Sequence, residues 1–145
     1  MNIKLDINKL EDLDDTIEVS KKIFNPTPEE EKIYHNKKDW LKKIKNNGLL
    51  ITARANNELV GFSICYSKGN KLHIWIVGVL EKNRRFGIWK QMHQSISNYA
   101  QKNDLKHLTL NTYESRFPGM YNFCLKNGFK EYKVEKGKSF FIKNI

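Results

Sequence analysis

Cysteine and long apolar runs are both scarce in this sequence, and each absence narrows the classes of protein that fit it. Only two cysteines occur, and Cys65 and Cys124 form neither a C-x-x-C pair nor a zinc-binding pattern. We interpret them as free thiols, which suits a reducing cytosol. The longest apolar run, Leu72 to Leu80, spans nine residues and includes His73, whereas a membrane-spanning helix needs about 20. The first fifteen residues lack the apolar core of a secretory signal, so we expect a cytoplasmic chain without a membrane segment.

Several common catalytic signatures are absent as well. The sequence contains no G-x-x-x-x-G-K-[ST], G-x-G-x-x-G, G-x-S-x-G or H-E-x-x-H. This argues against P-loop nucleotide hydrolases, dinucleotide-binding domains, α/β-hydrolases and zinc proteases. The histidines, His35, His73, His93 and His107, show no spacing typical of metal ligands. We therefore expect no metal site.

Positive charge is abundant and unevenly distributed. The 145 residues include 26 Lys and Arg against 16 Asp and Glu, a net charge of +10. Residues 1–48 hold ten acids and ten bases, so the whole excess lies in residues 49–145. Three interpretations are open: a nucleic-acid surface, a pocket for a phosphorylated small molecule, or solvated surface lysine, since 22 of the bases are Lys. A nucleic-acid interface is disfavoured because no recognised binding motif occurs and the bases do not gather on one helix.

Hydrophobic periodicity predicts a mixed arrangement of strands and helices. The expected order is β-α-α-β-β-β-α-β-α-β-β, with strands near 2–7, 49–55, 59–66, 71–80, 105–113, 131–134 and 139–142 and helices near 10–24, 27–45, 87–102 and 118–127. The unit from 71 to 113 should form one right-handed parallel crossover. Hairpins on either side make the rest of the sheet antiparallel. We therefore expect a three-layer α/β (α+β) fold, with a central mixed sheet, helices on both faces and one domain covering residues 1–145.

The second predicted helix carries a clear start signal. Thr27 is a good N-cap, Pro28 suits the first helical position, and Glu30 can close a capping box. We expect this helix to run to about Lys45. Its inward-facing residues are expected to be Ile33, Trp40, Leu41 and Ile44.

The segment from Val77 to Lys90 carries the strongest chemical signal. Gly78 interrupts a β-branched strand, which indicates a bulge or a close approach. The loop from Arg84 to Gly87 leads into a helix N-terminus, where free amides and the helix dipole bind phosphate. Four bases surround this loop, namely Lys82, Arg84, Arg85 and Lys90. The segment therefore predicts an anion site.

At these residues the sequence resembles the GCN5-related N-acetyltransferase (GNAT) superfamily. The cofactor motif of that family, Arg/Gln-x-x-Gly-x-Gly/Ala after a strand ending in Val-x-Pro-x-x, corresponds to Val79 to Trp89. A second signature, which ends in Gly-Phe, corresponds to Phe123 to Phe129. The order of elements and the separation of the two motifs also look like that family over most of the chain.

The resemblance implies an acetyl-CoA site built largely from backbone groups. Amides of Arg85 to Lys90 would hold the pyrophosphate, and the strand through Val77, Val79 and Leu80 would pair with the pantetheine arm. The Val79 amide would stabilise the oxyanion that develops on the thioester carbonyl. An amine would attack the acetyl carbon directly, without an acyl-enzyme. The implied cofactor-binding residues are Val77, Val79, Leu80, Arg84, Arg85, Phe86, Gly87, Ile88, Trp89 and Lys90.

The sequence departs from the family pattern at four places. The small residue of the cofactor motif is Trp89, the usual Pro is Glu81, and the Tyr that commonly protonates the departing thiolate is Cys124. The acid often found on the central strand is absent, since Trp75 and Ile76 occupy that stretch. The proton donor and the base of the reaction are consequently open.

Two residues are candidates for the proton donor. Cys124 could donate its thiol proton, or it could pack against Phe129 at the end of its helix. Tyr121, one turn earlier, could take its place as the acid or could be a packed aromatic.

Two residues are candidates for the base. His73 is expected on one strand face with Trp75, Val77 and Val79, and an ordinary histidine pKa suits a general base. Glu114, just past the end of a strand, is the other candidate. Each could equally be structural or solvated, and deprotonation through water without a dedicated base is a further option.

We expect an acetyl-CoA-dependent N-acetyltransferase that acts on a primary amine, with a GNAT-like module that binds CoA without turnover as the alternative. The acceptor can be a small molecule or a peptide or protein, and neither nucleic acid nor membrane is expected as a partner. The closing strand with Phe140, Phe141 and Ile142 could cover the core or pair with a second chain. A monomer and a homodimer are therefore both open.

Overall fold

The computed structural model of this chain describes residues 2–145. The strands in that range are β1 (Ile3–Ile7), β2 (Gly48–Ala55), β3 (Glu58–Lys68), β4 (Lys71–Val79), β5 (His107–Tyr113), β6 (Lys130–Glu135) and β7 (Lys138–Asn144). The helices are α1 (Leu13–Phe24), α2 (Pro28–Tyr34), α3 (Lys37–Lys45), α4 (Ile88–Lys102) and α5 (Pro118–Lys126), and 3₁₀ turns cover Leu10–Asp12 and Glu81–Asn83. Every strand lies within two residues of its predicted bounds. No helix formed by residues 2–145 is both long enough and apolar enough to cross a membrane.

All of these strands form one sheet in the order β1-β2-β3-β4-β5-β7-β6. The β4–β5 pair is parallel and every other neighbouring pair is antiparallel. Side chains of β2 show the two faces: Leu49 packs in the core cluster of α4 and α5, whereas Leu50 packs in the cluster of α1 and α3. The predicted three-layer α+β architecture with one parallel crossover is confirmed.

Strands β4 and β5 run side by side only over their first halves. Their ladder joins Lys71–Ile74 to His107–Leu110 and stops there, although both strands continue. A bulge at Trp75 accompanies this change, because Ile74 lies opposite Cys65 of β3 and Ile76 lies opposite the adjacent Ile64. The second halves of β4 and β5 therefore enclose a gap in the sheet.

Gly78 does not form the bulge that the sequence suggested. It pairs with Phe62 in the regular register of β3 and β4. A Cβ at Gly78 would lie 2.9 Å from Cδ1 of Ile23 in α1, so the missing side chain allows α1 to approach the sheet. Of the two possibilities raised for this glycine, the structure supports the close approach.

The bulge also reverses the alternation of side chains along β4. Val77 and Val79 pack in the cluster of α4 and α5, whereas Trp75 packs in the cluster of α1 and α3. His73 shares the face of Trp75, because its neighbour Leu72 belongs to the opposite cluster. The expectation that these residues share one strand face is therefore wrong, since one unpaired residue changes the parity of the strand.

The expectation of one continuous helix to Lys45 is also wrong, because two helices occupy that segment. The predicted capping box between Thr27 and Glu30 is present, but α2 ends at Tyr34. The side chain of Asn36 then starts α3 by accepting a hydrogen bond from the Asp39 amide at 3.3 Å. An Asx cap inside a helical pattern thus ends one helix and begins another.

The break changes which predicted inward residues are buried. Trp40 and Ile44 are buried and Leu41 is half-buried, as expected. Ile33 is 60% exposed, so its predicted inward position is wrong. The reason is that α2 as a whole stands clear of the core and buries none of its residues.

Candidate active site

The gap between β4 and β5 opens into a cavity of about 700 Å³. Elements from both faces of the sheet contribute to its wall: residues 23–24 of α1, 74–79 of β4, 110–112 of β5, Trp89 of α4, and 116–120 with Phe123 at α5. The cavity therefore passes through the sheet, from the α1 side to the side of α4 and α5. Its size is that of a small-molecule site.

Backbone groups of Val77 and Val79 point into this gap. Leu80 donates its N–H to the carbonyl of Val60 in β3 at 2.8 Å. In an antiparallel ladder, alternate residues face the partner strand and face away from it. Val77 and Val79 alternate with residues that face β3. Their N–H and C=O groups therefore face the opposite edge of β4, where the pairing with β5 has ended. The Val79 carbonyl accepts a hydrogen bond from Arg84 Nε at 3.0 Å, and the parallel ladder does not reach the Val77 and Val79 amides.

Helix α4 begins beside this gap without a side-chain cap. Its N-cap is Gly87 with φ +78°, no side chain bonds to the helix start, and the first turn contains no acid. The amides of residues 88–90 consequently have no acceptor within the helix. A second cavity of about 360 Å³ lies at this helix start, and Arg84, Arg85 and Lys90 line it. The helix dipole and these charges make the cavity suited to phosphate groups.

The loop that leads into α4 holds strain and an unpaired polar atom. Arg85 adopts the left-handed conformation with φ +71°, which costs a non-glycine residue about 1 kcal/mol. Asn83 lines the smaller cavity, and its buried Oδ1 has no hydrogen-bond partner in the described chain. Strain and unpaired polar groups of this kind are typical of ligand-binding loops.

Trp89, which replaces the small residue of the family motif, forms a wall shared by both cavities. Its ring packs against Phe123 at 5.2 Å and against His93 at 5.8 Å between centroids. The indole thus lies against α5 and leaves the smaller cavity open. The remaining shared walls are Val79, Arg84, Arg85 and Phe123.

Most residues of the implied cofactor set line these two cavities. They are Val77, Val79, Arg84, Arg85, Gly87, Ile88, Trp89 and Lys90. The other two do not: Leu80 is tied to β3 by its amide, and the side chain of Phe86 is 54% exposed.

The candidate proton donors lie outside both cavity walls. Cys124 is fully buried, and burial raises the pKa of its thiol to about 12. Tyr121 packs edge-on against Phe141 at 5.5 Å. Burial and the Glu131 and Glu114 carboxylates raise the pKa of the Tyr121 hydroxyl.

The candidate bases lie outside the cavity walls as well. The Nδ1 atom of His73 lies 2.7 Å from Thr109 Oγ1, and burial, with smaller contributions from Lys68 and Lys138, lowers the pKa of His73 to about 4. Glu114 is exposed on the loop after β5. The structure therefore does not bring the four candidate catalytic residues together.

Sequence reasoning missed the wall on the α1 side of the larger cavity. Phe24 of α1 and Phe117 contact each other edge-on at 6.2 Å, and Arg116 places its guanidinium 5.2 Å from the Phe117 ring. These residues come from segments far apart in the chain, and no local motif links them. The nearest sequence signals were Asn25-Pro26, which ends α1, and Pro118, which starts α5.

The sheet splits at its one parallel pair, and a basic, uncapped helix start lies beside the split. The chain matches the model of the Acetyltransferase (GNAT) family over residues 11–129 and belongs to that family. It is accordingly an N-acetyltransferase, and the resemblance seen in its two motifs is confirmed.

Solved structures share the fold at low sequence identity. The PaiA N-acetyltransferase from Thermoplasma acidophilum, in complex with coenzyme A, is similar with a TM-score of 0.88 and 20% identity, covering 100% of each chain. A GNAT family acetyltransferase from Elizabethkingia anophelis with acetyl-CoA bound gives a TM-score of 0.69 at 19% identity over 99% of each chain. The ribosomal-protein-S18-alanine N-acetyltransferase from Escherichia coli gives 0.81 at 12% identity over 99% of this chain and 94% of that one. No curated protein matches the chain.

Proposed function

We propose that residues 1–145 form one acetyl-CoA-dependent N-acetyltransferase domain that transfers an acetyl group directly to a primary amine. The observation that carries this proposal is that the two cavities are adjacent and share lining residues, Val79 among them, beside the uncapped start of α4. Two structures of the same fold hold coenzyme A or acetyl-CoA, which supports the choice of cofactor.

The residues at the helix start fit the phosphates of this cofactor. Amides of residues 88–90 supply hydrogen-bond donors, and the side chains of Arg84, Arg85 and Lys90 supply positive charge around them. Lys82, the fourth base that the sequence placed at this loop, lines neither cavity and lies 3.4 Å from the Glu58 carboxylate instead. No acid in the first turn opposes an anion. The unpaired Asn83 Oδ1 and the strained Arg85 belong to the same loop.

The gap fits the thioester arm that joins these phosphates to the acetyl group. Bound acetyl-CoA supplies an activated acetyl carbon. The Val79 N–H, which faces the gap, can donate to an oxygen on which negative charge develops during transfer. Trp89, Phe123 and Phe117 give this part of the cavity apolar walls. Binding the amine from the α1 side would hold it on the opposite side of the sheet from α4.

The cavity walls contain none of the candidate acids and bases, and this bears on how the amine loses its proton. None of His73, Glu114, Tyr121 and Cys124 lines either cavity. We therefore propose that the amine loses its proton to water before attack, the option left open when no dedicated base is present. The rate should then follow the fraction of neutral amine.

Calorimetric titration with acetyl-CoA tests the site. Gly87→Val forces a β-branched residue to φ +78°, which displaces the first-turn amides, so we expect the Kd to rise by about 10-fold or more. Arg85→Ala removes one charge and should raise the Kd only about 2- to 5-fold, because backbone amides make most of the hydrogen bonds to the cofactor phosphates.

Gly137→Val is the matched control for this titration. Gly137 also has a positive φ, +81°, and open space around its Cβ, but it lies in the β6–β7 turn, and neither cavity includes it. It should leave the Kd unchanged. An unchanged Kd for Gly87→Val, in a folded protein, would refute the proposed phosphate site.

A further inference from the structure

The α1 side of the larger cavity has an unusual balance of charge for an enzyme that accepts an amine. Three arginines line the cavity and no Asp or Glu of the described chain does; Arg84 and Arg85 belong to the loop before α4, so Arg116 is the charge on the α1 side. An amine in its ammonium form would meet like charge there and no carboxylate. A polyamine is therefore a poor fit for this wall.

Unlike Arg84 and Arg85, Arg116 lies outside the loop proposed to bind the cofactor. It belongs to the segment between β5 and α5, and its guanidinium lies over the Phe117 ring at 5.2 Å. It forms no ion pair within the described chain. Glu30 is close enough to act on it through space, but the Glu30 carboxylate accepts the Thr27 amide at 3.1 Å in the capping box of α2. The planar donor group of Arg116 is thus available to an anion in the cavity.

The rest of this wall is apolar and aromatic. Phe24 and Phe117 meet edge-on, and Trp75 and Ile23 line the same side. Such surfaces favour an apolar or aromatic body. Because the same 700 Å³ must also admit the reactive arm of the cofactor, the space suits a small molecule.

We propose that the acceptor is a small amino carboxylate with an aromatic or aliphatic side chain, and that Arg116 binds its carboxylate. The inference rests on the proposed acetyltransferase function and names its substrate class. A guanidinium matches a carboxylate through two parallel hydrogen bonds. The apolar side chain packs against Phe24 and Phe117, and the amine is directed to the gap beside Val79.

The transfer needs the amine in its neutral form, which the ammonium reaches by giving one proton to water. The neutral nitrogen then forms a bond to the acetyl carbon, the bond from that carbon to sulfur breaks, and the sulfur keeps the electron pair. The proton that the nitrogen loses as it becomes an amide passes through water to the thiolate.

An acceptor panel at saturating acetyl-CoA tests the proposal. The panel contains aromatic and aliphatic amino acids, the carboxamide of each, and spermidine, and free-thiol release gives kcat/KM. We expect at least one amino acid to exceed its own carboxamide and spermidine by about 10-fold or more. Spermidine as the best acceptor, a carboxamide that equals its acid, or no turnover of any amino acid would overturn the proposal.

Variants of Arg116 then test the assigned residue. Arg116→Gln should lower kcat/KM for the preferred amino acid about 10- to 100-fold, mainly through KM, and change the value for its carboxamide less than about 3-fold. Arg116→Lys, which keeps the charge without the planar fork, should recover part of the loss. Lys102→Gln removes one exposed charge at the far end of α4 and is the matched control. Equal losses for the acid and the carboxamide would refute the role of Arg116.

A parallel titration with acetyl-CoA separates this proposal from the proposed function. Arg116→Gln should bind acetyl-CoA with the affinity of the parent protein. If the parent protein fails to bind acetyl-CoA, the proposed function itself is wrong. If it binds acetyl-CoA but consumes no amino acid, only the substrate class is wrong.

Discussion

At the scale of single residues, burial decides the chemistry of Cys124. Its side chain is fully enclosed in the core of α4 and α5, and its carbonyl accepts the Phe129 amide at 3.1 Å as α5 ends. Gly128, with φ +84°, makes that reversal possible. With its pKa raised to about 12 by burial, the thiol is a poor proton donor near neutral pH. The contact with Phe129 that the sequence suggested as an alternative role is consistent with this geometry.

We therefore predict that Cys124→Ala lowers stability and spares catalysis. The free energy of unfolding should fall by about 1 kcal/mol, the cost of removing one small buried group. The kcat value and its pH profile should change less than about 2-fold, whereas loss of a general acid costs about 100-fold or more. Tyr121→Phe, measured beside it, removes the hydroxyl of the other candidate proton donor. A 100-fold loss of kcat in either folded variant would show that the residue donates a proton.

At the scale of the elements, one glycine fixes the junction between α3 and β2. A Cβ on Gly48 would overlap the carbonyl oxygen of Lys43 and lie 2.8 Å from the Ile44 Cα and 2.9 Å from the Cys65 carbonyl oxygen. All three neighbours are backbone atoms, so no side-chain rotation can relieve the contact. The helix can pack this closely on the sheet only because residue 48 has no side chain.

We predict that Gly48→Ala lowers the free energy of unfolding by about 3 kcal/mol, at the upper end of the effect of overpacking. Urea denaturation provides the measurement. The control is Gly119→Ala in the first turn of α5, where an added Cβ meets no atom within 4 Å and alanine should stabilise the helix by up to about 1 kcal/mol. A Gly48→Ala protein as stable as its parent would show that the α3–β2 junction is looser than described.

The elements that the sequence predicts well are those with local causes. Strand alternation and the Thr27 capping box both depend on residues a few positions apart. The break before α3 has a local cause, the Asn36 cap, and was missed because the apolar pattern continues across it. The bulge at Trp75 was missed because it depends on pairing with β3, a separate segment of the chain. For the same reason, the cofactor loop could be located from its motif, whereas the wall around Arg116 could not.

At the scale of the whole molecule, the excess of basic residues and the two cavities coincide. Every charged residue that lines either of the two cavities is basic, namely Arg84, Arg85, Lys90 and Arg116. All of them lie in residues 49–145, the part of the sequence that carries the net charge of +10. Four of the 16 bases in that part of the sequence line the two cavities, so a pocket for anionic groups accounts for part of the excess charge, and the other bases lie outside both cavities.

Three histidines make the free energy of unfolding of the whole molecule depend on pH, and all three lower it as the pH falls. Burial, with a smaller contribution from Lys143, lowers the pKa of His93 to about 4 among the rings of Trp89, Phe123 and Phe129. Burial also lowers the pKa of His73 to about 4 and shifts that of His35 downward. The unfolded chain, with histidine pKa values near 6.5, therefore binds protons between about pH 6.5 and pH 4 that the folded chain does not.

We predict that these histidines make a constant contribution to the free energy of unfolding above about pH 6.5. As the pH drops from 6.5 toward 4, the free energy of unfolding should fall by on the order of 3 kcal/mol for each of His73 and His93. Urea denaturation at pH 7.0, 6.0 and 5.0 measures the slope, in a range above the titration of most carboxyl groups. The double variant His73→Gln and His93→Gln should lose most of that slope, because glutamine does not titrate. The control is His107→Gln in β5, which leaves both buried imidazoles in place. If the double variant keeps the full slope between pH 6.5 and pH 5, these two histidines do not bind protons on unfolding, and the acid sensitivity of the fold has another source.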